Sequence, residues 1–190
     1  MPRPALVNSD DLLARLSFTF RDVGFEAASM SVLSERTGLK RASLYHRFPG
    51  GKQEMAEKVL SRAHEWMSEN VIASLRSSRD PEERLTTMMR ALEDFYENGA
   101  RACLLNMLAT DAETKSPFAD AIRQTLEEWI GALAFCARSA GISEAASKQR
   151  ALRIVTMIQG GLVVSRGLRT NAPFGAVIED LPRVLLEREA

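Results

Sequence analysis

Apolar residues recur three and four positions apart along almost the whole of this 190-residue chain, and no stretch sustains the period-two alternation that a half-buried strand needs. That rhythm restricts the chain to packed helices. Leu13, Leu16, Phe20 and Val23 form a first stripe, opened by Ser9 as capping residue with Asp10 and Asp11 in the first turn, and closed by Gly24. Ser29 caps a short second helix carrying Val32 and Leu33, which stops at Gly38. A third short helix carries Arg41, Ala42, Ser43, Leu44 and Tyr45 and ends at Pro49-Gly50-Gly51. Further helices are expected from about Lys52 to Leu75, from Asp80-Pro81 to Gly99, around Cys103 to Thr110, and from Ser116-Pro117 to Gly141. Two more follow, one opened by Ser143-Glu144 and running to Leu168, and one from about Phe174 that Pro182 should kink or interrupt. The expected class is all-α with about nine helices. Residues 1–52 form a three-helix N-terminal domain, helix 4 over about 52–75 is a connector, and residues 53–190 form a larger helical domain.

Composition narrows the functions open to such a fold. A chain of 21.0 kDa buries enough surface to need no covalent staples, and Cys103 and Cys136 make neither a disulfide framework nor a zinc spacing. The longest uncharged stretch, Ile154 to Ser165, has twelve residues, well short of the roughly 20 that span a bilayer. The Met1-Pro2-Arg3-Pro4 start has no apolar signal core, so no membrane partner and a cytoplasmic location are expected. His46 and His64 show no metal spacing and no phosphate-binding glycine loop is present, so no catalytic set, metal or cofactor is expected.

The formal net charge of zero hides a division. Residues 1–62 hold ten Lys or Arg against seven Asp or Glu, a net of +3, which leaves −3 for the remainder. From Arg36 through Lys52, seventeen residues contain five cations, one histidine and no acid. This stretch coincides with the two short helices flanking the Gly38-Leu39-Lys40 turn, the layout in which a second helix enters the major groove of DNA. Leu33, Leu39 and Leu44 would hold this unit against the first helix, leaving Lys40, Arg41, Ser43, Tyr45 and His46 for the duplex.

The run from Ser29 to Met55, and the Leu44-Tyr45-x-x-Phe48…Lys52 segment above all, resembles the N-terminal domain of TetR-type transcriptional repressors. Its Phe48-Pro49-Gly50-Gly51-Lys52 form is similar to the branch containing the LmrA and YxaF regulators. The resemblance implies that Ser29, Tyr45 and Lys52 meet phosphates, the last helped by the amides opening the fourth helix, and that Arg41, Ala42 and Ser43 face bases. Lys40 departs from the family pattern, which usually has a small capping residue there.

It also implies a homodimer, a double-stranded operator and a small effector. The segment Ile154 to Leu168 is apolar on more than one face and must be covered on both sides. With the last helix it is the expected dimer interface, through Ile158, Gly161, Leu162, Ser165, Val177, Ile178, Leu181 and Leu185. Trp66, Met88, Leu92, Phe95, Met107, Phe118, Trp129, Met157 and Gln159 are the expected pocket for a hydrophobic or aromatic effector, with Gln159 or Asn106 as polar anchor. The alternative reading is a DNA-binding architectural or partner-recruiting protein without an effector.

Overall fold

The computed structural model describes residues 8–109 and 116–187, and all regular structure among them is helical. We number the helices α1 (Ser9–Ala27), α2 (Met30–Thr37), α3 (Arg41–Arg47), α4 (Gly51–Met67), α5 (Pro81–Phe95), α6 (Leu104–Leu108), α7 (Ala119–Ser139), α8 (Glu144–Leu168) and α9 (Ala172–Leu186). A wide π-turn, Ser68–Ile72, and a last turn, Ala73–Leu75, extend α4. Thr110 and the Met1-Pro2-Arg3-Pro4 start lie outside the described residues.

Local chemistry sets most boundaries where the sequence puts them. Gly38 ends α2 at φ 73°, the left-handed conformation only glycine adopts without strain. Asp80 and Ser143 cap α5 and α8, accepting from the amides of Glu82 and Ala146 at 2.9 and 3.3 Å. Two expectations fail. Asn8, not Ser9, caps α1, its side chain accepting from the Asp11 amide at 2.7 Å, and helical structure resumes after the Gly24 kink as far as Ala27. Pro182 neither breaks nor ends α9, because Leu181, Val184 and Leu185 are buried on either side of it and hold the helix in place.

The chain divides into two compact units, the described parts of Met1–Ala63 with Leu104–Phe118, and of His64–Cys103 with Ala119–Ala190. The division falls inside α4, and the 104–118 segment goes with the first unit. Packing explains this: α6 lies along α1, Phe118 meets the Phe25 ring edge-on at 5.0 Å, and Met107 lies beside Gly24. In this unit Leu12, Leu16, Phe20, Leu33, Leu44 and Met55 form the core.

In the second unit α8 packs against both α7 and α9. Ile158, Gly161, Leu162, Ser165, Ile178, Leu181 and Leu185 are buried within the protomer and Val177 is half-buried. The seven buried residues therefore pack inside the protomer, whereas Val177 keeps some free surface. Gly161 admits α9 so closely that a Cβ there would come within 3.2 Å of Val177, and the Ser165 hydroxyl accepts from the Phe174 amide at 3.0 Å. The exposed side of α8 is a different stripe: Leu152, Thr156, Gly160, Val163, Val164, Gly167 and Leu168.

Gly99, at φ 95°, lies where an added Cβ would sit 2.7 Å from the Cβ of buried Phe174. Gly99→Ala combines backbone strain with overpacking and is expected to destabilise the protein by about 3 kcal/mol, read as a lower denaturation midpoint with unchanged m-value.

Candidate nucleic-acid interface

The three-residue turn is held by the chain's own hydroxyls. Ser34 donates to the Leu39 carbonyl at 2.6 Å, and Thr37, fully buried, donates to the Leu33 carbonyl at 2.6 Å. Arg15 of α1 donates to the Thr37 carbonyl at 2.9 Å, setting a cation at the negative end of α2. These bonds fix the entry of α3. Leu33 and Leu44 are fully buried, Leu39 is half-buried, and Phe48 closes the end of α3 inside the core.

What remains outside is Arg41, Ala42, Ser43, Tyr45 and His46, with Lys40 ahead of them. Tyr45 is 49% exposed, and its ring lies 3.3 Å from the position a Gly51 Cβ would take. Lys40 occupies the N-cap of α3 without capping it, as the departure from the family pattern implies. Ser29 caps α2 by accepting from the Val32 amide at 3.3 Å and stays exposed.

The cationic stretch is not one surface. Arg36 pairs with Asp22 at 3.0 Å. Lys52 is turned inward: its ammonium donates to the Phe25 carbonyl at 3.0 Å and sits 4.1 Å above the Phe25 ring. At the same helix end the Glu54 carboxylate accepts from the Gly50 amide at 2.8 Å, so a carboxylate of the chain already occupies part of the position expected for phosphate. Lys40 and Arg41 are the cations of this stretch that stand exposed at the start of α3.

The expected effector residues separate. Met107 and Phe118 are in the first unit, as is exposed Asn106; Trp66, Met88, Leu92, Phe95, Trp129, Met157 and Gln159 are in the second. There Trp66 stacks on Phe95 at 4.0 Å and 15°, and Met88, Leu92 and Trp129 are fully buried. The indole N–H of Trp129 and the amide N–H2 of Gln159 are buried without a hydrogen-bond partner, a costly arrangement for two donors. His64 bonds Thr125 through Nδ1 at 2.9 Å and lies 3.8 Å from Glu128. Among the described residues no cluster of His, Cys, Asp or Glu is arranged to hold a metal, and no helix is long and apolar enough to cross a membrane. Cys103 and Cys136 are buried, and burial pushes the Cys136 thiol up to about 11, away from the reactive thiolate of a redox sensor.

A glycine turn, an inward leucine on each short helix and an outward helix opened by two cations define a helix-turn-helix nucleic-acid-binding unit. Residues 19–59 match the family model described as bacterial regulatory proteins, tetR family, and residues 81–180 match the LmrA/YxaF-like transcriptional regulator C-terminal domain. The HTH-type transcriptional regulator LmrA of Bacillus subtilis (strain 168) is 22% identical over 179 residues, 93% of this chain and 95% of LmrA. Among solved structures, a TetR transcriptional regulator from Legionella pneumophila aligns with a TM-score of 0.81 at 20% identity, over 95% of this chain and 99% of that one. A cysteine-substituted CifR, a TetR family transcriptional regulator complexed with 26 bp double-strand operator DNA, aligns with a TM-score of 0.69 at 22% identity, over 96% and 98%.

The chain belongs to the TetR family of transcriptional regulators, in its LmrA/YxaF-like branch. Its relatives regulate transcription, and it is a DNA-binding regulator rather than an enzyme.

Two substitutions at cations of this stretch should change stability in opposite directions. Lys40→Ser supplies the missing cap and is expected to stabilise the protein by about 1 kcal/mol. Lys52→Ala removes a charged hydrogen bond and a cation–π contact and should cost about 1 to 3 kcal/mol, both read by chemical denaturation. A thiol reagent at neutral pH should modify Cys136 in the native protein far more slowly than in denaturant.

Proposed function

We propose that this protein is a cytoplasmic, ligand-responsive repressor that binds a palindromic operator as a homodimer and is released by a small hydrophobic or aromatic effector. The observation that carries the DNA half is the division of α3, in which Leu44 is buried in the core while Arg41, Ala42, Ser43, Tyr45 and His46 are left to solvent. In this reading Arg41 contacts guanine bidentately, a contact worth about 1 to 3 kcal/mol of discrimination, and Ala42 offers its methyl to a thymine. Ser43 faces the bases beside them. Lys40, Ser29, the Tyr45 hydroxyl and His46 meet the backbone, and Lys52 reaches phosphate with the N–H groups its Phe25 bond leaves over.

Dimerisation is supported by the exposed α8 stripe. Val163, Val164 and Leu168 are 54%, 47% and 66% exposed, and a Cβ on Gly160 or Gly167 would meet nothing within 4 Å, so a second helix can approach closely. A two-fold dimer would set its two α3 helices about 34 to 36 Å apart, one turn of DNA. The unpartnered Trp129 and Gln159 donors support an effector that brings hydrogen-bond acceptors into an otherwise apolar interior. α4 runs covalently from the first unit into the second, and effector binding would shift it, weakening DNA binding by the effector's differential affinity for the two states.

Fluorescence anisotropy on DNA selected by the purified protein tests the DNA half. Tyr45→Phe and Lys40→Ala should weaken binding on all sequences, with Lys40→Ala also lowering the salt slope by about 1, whereas Arg41→Ala should mainly relax sequence preference. Gly160→Arg should give a folded monomer by sedimentation. Leu162→Ala, in the protomer core, should instead cost about 2 to 5 kcal/mol of stability. Compounds that raise the melting temperature should release DNA, and a full set that leaves DNA binding unchanged would favour the architectural alternative.

A further inference from the structure

Ser31 lies in the first turn of α2 with its side chain in solvent, and nothing in the family resemblance gives it a role. Its hydroxyl accepts a hydrogen bond from Nη2 of Arg41, ten residues on and at the start of α3. The contact ties the outer surfaces of the two short helices together across the turn. It is separate from the apolar core beneath, where Leu33 and Leu44 already join them.

We propose that Ser31 is a positioning residue that aims the Arg41 guanidinium and so sets how sharply the protein discriminates at one base pair. The proposal rests on the reading of Arg41 as a base reader. Three observations carry it. Arg41 is exposed at the start of α3, where a long side chain samples many rotamers unless a neighbour holds it. A guanidinium has five N–H groups, so one bond to a hydroxyl leaves enough donors for both guanine acceptors. The holder is also neutral. Arg36, five residues earlier, is by contrast paired with Asp22. Among the described residues Arg41 makes no ion pair with a carboxylate, so Ser31 restrains it while its charge remains available to DNA.

The physical consequence is preorganisation. An arginine free to sample its rotamers must be ordered on binding, and ordering one such side chain is worth about a 3- to 10-fold factor in affinity. Because the restraint acts through Arg41, that factor should appear at the base pair Arg41 reads and nowhere else. A direct contact from Ser31 to phosphate would instead weaken binding to every sequence equally.

The experiment uses the full chain and duplexes selected by it, together with every single-base-pair replacement of the selected site. Dissociation constants are measured for the unaltered protein, Ser31→Ala, Ser31→Thr, Arg41→Ala and the double variant Ser31→Ala/Arg41→Ala. Alanine at an exposed helical position keeps α2 intact, and threonine retains the hydroxyl. Ser31→Ala should reduce discrimination about 3- to 10-fold at the base pair where Arg41→Ala abolishes it. Ser31→Thr should retain discrimination, and the double variant should match Arg41→Ala alone. A loss spread evenly over all sequences, a loss that persists in the Arg41→Ala background, or no effect of Ser31→Ala overturns the proposal. A second measurement separates its failure from that of the underlying reading. In DNA-free protein, the nitrogen-15 guanidinium signal of Arg41 should show faster side-chain motion in Ser31→Ala, and an unchanged signal refutes the restraint itself. A changed signal with an Arg41→Ala preference profile identical to that of the unaltered protein refutes base reading by Arg41, and the role of Ser31 in specificity falls with it.

Discussion

Leu44 is the one residue of the seven-residue α3 that is fully shut away from water, and the surface the helix offers follows from that burial. Removing a leucine side chain from water is worth about 1.5 to 3 kcal/mol, enough to fix which side of a two-turn helix faces the core. With Leu44 buried in the core on the side where α3 packs on α2, Arg41, Ser43, Tyr45 and His46 are left outward. A helix this short would not persist alone in water. Its exposed face exists because a buried one holds it, and the hydroxyl bonds of Ser34 and Thr37 set the angle at which it leaves the turn.

The same competition for burial governs the second unit, with a different outcome. α8 has apolar residues all round, and α7 and α9 cover one side of it. Ile154, Ile158, Leu162 and Ser165 fall on that covered side, while Leu152, Val163, Val164 and Leu168 do not. The α8 residues that keep exposed apolar surface are the ones the protomer leaves over. Gly161 illustrates the distinction from Gly160 one position earlier: the first admits α9, the second faces open space.

Charge obeys a similar rule of prior claims. Five cations in seventeen residues look like a phosphate-binding surface, yet Arg36 is answered by Asp22 and Lys52 by a backbone carbonyl and an aromatic face. What reaches solvent at the start of α3 is Lys40 and Arg41. The interior shows the reverse case, with Trp129 and Gln159 holding donors that the fold itself does not satisfy.

Helical periodicity, capping residues and glycines determined the all-helical class, the position of α2 and the start of α3 to the residue, and the exposure of Arg41, Ser43, Tyr45 and His46. These rest on contacts a few residues apart, which a linear pattern records. Tertiary structure alone decided that Met107 and Phe118 join the first unit, that Lys52 turns toward Phe25, and that Ile158 and Leu162 meet α9 instead of solvent. Sequence could have marked Ser31 only by its place on an outer face, since the arginine it holds lies across a turn. Each of these outcomes depends on which of several equally apolar or equally charged side chains a distant segment reaches first, and spacing along the chain carries no information about that choice.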